Sequence, residues 1–219
     1  MVKRQVKHTP RVEPLVLAHL APGIAADLTA GADVDGRRIE VDTVTDSLVG
    51  MTLMESEVVG LAGDQVDLRG ARFIDSRLTQ WAVPVLSAPG STWRDAELQE
   101  SRVGALDMSD AEVRRVTISG AKVGWINLRG SVVHDVVFRD CTFDEVDLGG
   151  AKISRVAFVD CVTEKLSLTQ ARGEVLDLRG LEFHALEGFE GLRGAVMTSE
   201  QVAFMADAFA SHFGVVVEG

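Results

Sequence analysis

The chain has 219 residues, 46% of them hydrophobic, with a formal net charge of −11 and a pI near 4.9. That is enough apolar material for one sizeable core, and no run of roughly 18 apolar residues is present to span a membrane as a helix. No apolar stretch follows the first basic residues before Pro10, so a secretory signal is not expected and the cytoplasm is the default compartment.

Residues 1–12 hold Lys3, Arg4, Lys7 and Arg11 and no acid, and read as a flexible basic tail. Residues 13–45 read as an N-terminal cap and an irregular first coil. Within them Leu15–Leu20 is a short apolar run between Pro14 and Pro22, expected to cover the first coil as a strand or a helical turn. Val34, Ile39, Val44, Val49, Met54 and Val59 are spaced by five, one residue out of step with Leu48, Leu53 and Val58. A one-residue slip is therefore expected before Gly60, with coiling from near residue 34.

Residues 46–185 carry the organising pattern. Every fifth residue is usually large and apolar: Leu68, Phe73, Leu78, Val83, then Trp93 through Phe158, and later Leu168, Leu178 and Phe183. Neither the helical period of about 3.6 nor the strand period of about 2 gives this spacing. A five-residue unit cannot bury a face alone, so it must be one side of a stacked coil. The residue two before each centre sets the coil length. Taken every twenty positions, Val66, Leu86, Leu106, Ile126, Val146 and Leu166 stay large, whereas Ala71, Ser91, Ala111, Ser131, Ala151 and Ala171 stay small. Columns that keep their size mean that residue n stacks on residue n+20, four units to a turn.

The units Val66–Gly70, Ala71–Asp75, Val146–Gly150 and Leu176–Gly180 resemble the pentapeptide-repeat family: a small or apolar residue, Asp or Asn, Leu or Phe, then two polar residues. The resemblance implies an all-β fold, a right-handed quadrilateral parallel β-helix of about seven coils. Departures such as Thr117, Val132, Lys152 and Ala157 mark a divergent member. Trp81, Pro84, Pro89 and Gly90 make residues 81–93 the weakest part of the rod, and a bulge or surface loop is expected there as a candidate contact site.

Residues 186–219 read as a C-terminal cap. Thr198 or Ser199 can start a helix over about 199–213 that stops at Gly214. Its stripe of Val202, Met205, Phe209 and Phe213 is expected to cover the last coil, with Phe204 beside it and Val215–Val217 as a possible added strand. The resemblance implies a homodimer through this cap.

No phosphate loop, zinc-protease motif or nucleophile elbow is present, so catalysis, metal and cofactor are not expected. His8, His19, His134, His184 and His212 read as solvated or capping residues. Cys141 and Cys161, twenty apart, should stack inside as small buried hydrophobes; their expected spacing would also permit a disulfide. The column Asp67, Asp107, Asn127 and Asp147 reads as structural, accepting hydrogen bonds from neighbouring backbone. Asp135, Asp140, Asp144, Glu145, Asp147, Asp160 and Glu164 form a candidate acidic interaction face. Two functions follow: a non-catalytic interaction module or scaffold for another protein, or, as the resemblance implies, a DNA mimic that binds gyrase or topoisomerase IV and protects it from quinolone-type inhibitors. Neither involves membrane or direct nucleic-acid contact. Duplex DNA carries about one charge per 1.7 Å, so mimicry requires acids and bases to stand on different faces.

Overall fold

The computed structural model describes residues 9–43 and 47–217. Its strands are all parallel and form a solenoid with four sides per coil. The register is the expected one: Phe73 pairs with Trp93, Trp93 with Val113, and Val103 with Val123, each twenty residues on. First-side strands such as Arg72–Ile74 and second-side strands such as Arg77–Thr79 stack into one sheet, whereas third and fourth sides run together in strands such as Ala82–Ser87 and Arg102–Asp107. From Glu112–Ser119 to Lys152–Val159 the first and second sides also share a continuous strand.

The slip appears where register changes. Asp33–Asp35 pairs nineteen residues on, with Thr52–Met54, and the Val41 N–H still follows that offset, whereas from Leu48 the offset is twenty. The slip therefore falls between Val41 and Leu48; residues 44–46, including Val44, lie outside the described residues. Coiling also starts earlier than expected, because Ala21–Pro22 pairs with Arg37–Arg38, and it continues to Ala195–Val196. The rod has about nine turns, not about seven. The shorter expectation came from counting only units in the main frame.

Centre and centre-minus-two residues both point inward: 71, 73, 76, 78, 81, 83, 86 and 88 are all buried. Stacked columns bring like against like. Phe73 and Trp93 lie 4.2 Å apart between ring centroids, and Phe138 and Phe158 stack at 4.8 Å. The buried indoles also satisfy their N–H groups: Trp81 donates to the Val58 carbonyl at 3.2 Å and Trp93 to Ser91 Oγ at 2.8 Å. Cys141 and Cys161 are buried and free.

Three of the four corners turn through a left-handed residue. Between fourth and first sides, Gly70, Gly90, Gly130 and Gly150 take it at the third position of a β-turn, as in the Ala71 N–H to Leu68 carbonyl bond of 3.0 Å. A preceding Asp or Asn locks three of these turns. Asp67 Oδ1 accepts from Arg69 N–H at 3.1 Å, Asn127 from Arg129 N–H at 3.1 Å and Asp147 from Gly149 N–H at 2.8 Å.

The loop expected at residues 81–93 is absent. Pro84 lies at the fourth corner, between paired Val83 and Val85, where it is not required as a ladder donor. Pro89 and Gly90 fill the two central positions of a β-turn suited to them. At the Pro84 corner the coils approach so closely that a Cβ on Gly104 would lie 2.5 Å from the Pro84 carbonyl oxygen, and one on Gly124 2.4 Å from that of Gly104. Gly124→Ala is expected to lower stability by about 2 kcal/mol. Urea unfolding checks this, with Gly70→Ala expected to cost about 1 kcal/mol through its positive φ alone.

Candidate interaction surfaces

The seven acids expected to share a face do not share one. Asp140 and Asp160 take the left-handed corner between second and third sides. Asp144 and Glu164 are exposed at the end of the third side, with Glu145 next to them at the start of the fourth. Asp147 is buried in its turn, bonded to Gly149 N–H and to Arg129 at 3.0 Å. Asp135 is 4% exposed and lies at the corner between first and second sides.

That corner is an ion-pair ladder. Its successive positions are Glu55, Asp75, Asp95, Arg115, Asp135 and Arg155, all with positive φ. Arg115 forks onto Asp95 at 2.5 and 2.6 Å, and Arg155 onto Asp135 at 2.5 and 2.7 Å. The side that carries Arg94, Arg114, Arg115 and Arg155 is thus partly neutralised. The n+20 rule applied to charged residues would have revealed these pairs, since Asp95, Arg115, Asp135 and Arg155 share one column.

A segment outside the rod completes the corner. Residues 9–19 do not cover the first coil; they run lengthwise along this edge. Leu15 N–H donates to Glu97 Oε1 at 3.2 Å, the Leu15 carbonyl accepts from Arg77 at 2.9 Å, and Arg11 N–H donates to Asp135 Oδ1 at 2.9 Å. The expected basic tail is therefore tied down at Arg11, while residues 1–8, with Lys3, Arg4, Lys7 and His8, lie outside the described residues. Burial alone would raise the Asp135 carboxyl, but the bonds from Arg155 and Arg11 N–H, with the charges of Arg155 and His134, take it below its ordinary value.

The C-terminal cap is two short helices, Ser199–Phe204 and Ala206–His212, instead of one. Thr198 accepts from Gln201 N–H at 3.1 Å, and Gln201 bonds back to Thr198 N–H at 2.8 Å. Gln201 also closes the open last coil, donating to the carbonyls of Leu178 and Leu181 at 2.7 and 2.9 Å. Met205, at the break between the helices, is buried, and Phe209 meets Phe189 edge-on at 5.3 Å. The expected stripe is only half used, because the break turns Val202 and Phe213 away from the rod. Val202, Phe204, Phe213 and Val215–Val217 are exposed, Phe204 at 67% and Phe213 at 76%, and Val215–Val217 form no strand.

His134 lies 3.1 Å from Asp135, His184 lies 3.4 Å from Glu164, and His212 stacks on Phe189. No cluster of three or more His, Cys, Asp or Glu suited to a metal ion occurs among the described residues.

Removing the Asp135 charge leaves Arg155 without its main partner. Asp135→Asn is expected to cost about 3 kcal/mol in urea unfolding. Since the carboxyl's folded pKa is depressed, its contribution is present above the unfolded value of about 3.9 and fades as pH falls through that value toward the folded one. The Arg11 amide resonance should titrate with a midpoint below about 3.9 in the native chain, and lose that titration in the variant.

No family model matches the chain, and no curated protein matches it. Among solved structures, a trypsin-treated variant of QnrB1, a plasmid-mediated fluoroquinolone resistance protein, aligns over 91% of this chain and 96% of its own at 14% identity, with a TM-score of 0.35. HetL, a pentapeptide-repeat protein involved in heterocyst differentiation regulation from the cyanobacterium Nostoc sp. strain PCC 7120, aligns over 76% and 90% at 15% identity, with a TM-score of 0.34. The chain's own five-residue sides, four to a coil in an n+20 register, give it the quadrilateral parallel β-solenoid fold that its sequence resemblance to pentapeptide-repeat proteins implies.

Proposed function

We propose that the chain is a non-catalytic protein-interaction module whose partner docks on side-chain columns of the rod, and which self-associates through its C-terminal cap. The apolar crest of the cap carries this reading. Phe204, Phe213 and Val215–Val217 stand exposed together with Val202, and grouped apolar exposure of this kind marks interaction sites. A second copy meeting crest to crest would bury it by the symmetry usual in homodimers. No helix among the described residues is long and apolar enough to cross a membrane, and a cytoplasmic setting remains part of the proposal. Phe204→Glu with Phe213→Glu is expected to convert a dimer to a monomer with the unfolding midpoint of the rod unchanged; sedimentation velocity over a concentration series checks this.

A second reading, mimicry of DNA toward gyrase or topoisomerase IV, draws on one local feature. Asp140, Asp144, Glu145, Asp160, Glu164 and Glu182 lie on or beside the third side over three successive coils. Three coils occupy about 14 Å, in which DNA carries about 8 charges. The patch approaches that density, although Lys165 lies 3.4 Å from Glu145 within it. The density is not sustained toward the N-terminus, where Arg102 and Lys122 hold the same side. Purified gyrase supercoiling, with and without a fluoroquinolone, tests this reading. Inhibition, or rescue from the drug, at micromolar protein is its expected outcome. Reversal of Asp144, Glu145 and Glu164 to Lys should abolish the effect, and an unchanged effect would sink this version.

A further inference from the structure

The edge occupied by residues 9–19 has the properties of a peptide seat with a weak resident. Among the described residues, the three polar contacts that hold the segment are to its main chain: Arg11 N–H, Leu15 N–H and the Leu15 carbonyl. None reads a side chain, so the seat accepts any extended chain in this register. It is also rigid. Asp135 is held by Arg155, and Glu97 by Arg77 at 2.8 Å.

The segment fits the seat poorly. Glu13, Pro14 and Ala18 are exposed, and Val16 is 82% exposed. A cavity of about 470 Å³ separates residues 13–18 from the corner. Four carboxylates line it, Glu13 from the segment and Glu55, Asp75 and Asp95 from the rod. Among the described residues only Asp95 of these four is in an ion pair. The resident thus adds an acid to an acidic cavity. His19, which joins the segment to the first coil, has a φ of 60°, a costly value for a residue other than glycine, at the place where the segment would hinge away.

The geometry points to a docking site for an extended, basic peptide segment of a partner protein, occupied in the free chain by residues 9–19 as a displaceable strap. This rests on the reading of the chain as an interaction module and assigns the partner a surface distinct from the cap. Lys or Arg side chains at the positions of Glu13 and Leu17, in the two-residue alternation with Leu15, would enter the cavity that Glu55, Asp75 and Asp95 line. Tethering gives the strap an effective concentration on the order of millimolar. A free peptide at micromolar concentration must therefore bind about a thousandfold better than the strap to share the site equally.

The test uses the full chain with Arg11→Pro and Leu15→Pro, which remove the two strap N–H donors and leave the seat intact. Two fluorescein-labelled synthetic peptides are the probes: residues 9–20, and the same peptide with Glu13→Lys and Leu17→Lys. In fluorescence anisotropy the dilysine peptide should bind the strap-released protein at least tenfold tighter than the parent peptide, and at least tenfold tighter than it binds the native chain. Adding Asp75→Asn, which loses no ion pair, should weaken dilysine binding severalfold without moving the unfolding midpoint. Equal binding of the two peptides, binding of neither, or indifference to Asp75→Asn each overturns the proposal. Self-association of the cap is read independently by sedimentation, so failure of one reading is distinguishable from failure of the other.

Discussion

The structure depends on one constraint, the main-chain ladder that joins residue n to residue n+20. Once Leu68 N–H bonds to the Ser87 carbonyl and Ala88 N–H to that of Asp107, every side chain is forced into a column with its counterparts one coil away. Apolar columns then become the core, and Phe73 meets Trp93 because each is the centre of the same side. The ladder also explains why three corners need left-handed residues. Five residues per side leave one position to reverse direction, and it falls mostly to Gly and Asp, and otherwise to Glu, Gln or Arg.

The same constraint governs the charges. Two like charges in one column lie about 4.8 Å apart and repel, and two stretches of column are relieved by alternation. Asp95, Arg115, Asp135 and Arg155 follow that rule at one corner, and Glu57, Arg77 and Glu97 follow it on the second side. A net charge of −11 therefore translates into little continuous acidic surface. Acids without such relief remain at Glu55 and Asp75, on the same corner as the ladder, and at Asp140 and Asp160 on the next. Formal charge alone overstates how far the rod resembles a polyanion.

What could be read from the chain was whatever repeats. The period, the inward positions, the n+20 stacking and the turn-locking column Asp67, Asn127 and Asp147 each recur many times, so single departures such as Ala88 do not obscure them. The slip before Gly60 was legible for the same reason, as two interleaved frames. What could not be read lacks repetition or a side-chain signature. The strap is held through backbone groups of Arg11 and Leu15, which every residue but proline offers. The break at Met205 follows from docking onto the last coil, since Met205 and Phe209 face the rod while Val202 and Phe213 do not. Pro84 looked disruptive because prolines break ladders, yet it occupies the one position per coil where close packing, not hydrogen bonding, sets the choice.

A solenoid has two ends, and this chain treats them differently. At the C-terminal end Gln201 meets the carbonyls of Leu178 and Leu181, so these two acceptors of the last coil are closed to another strand. The apolar crest beyond it is thus surplus to capping: the polar work is done by Thr198 and Gln201 and the packing by Met205, Phe209 and Phe189. At the N-terminal end the chain spends Ala21–Pro22 on the first coil and then leads residues 9–19 away along an edge already bonded by its own ladder. Neither the crest nor the strap is required to complete the β-helix. Both are features the fold alone does not explain, and recognition is sought on them as well as on the side-chain columns of the rod.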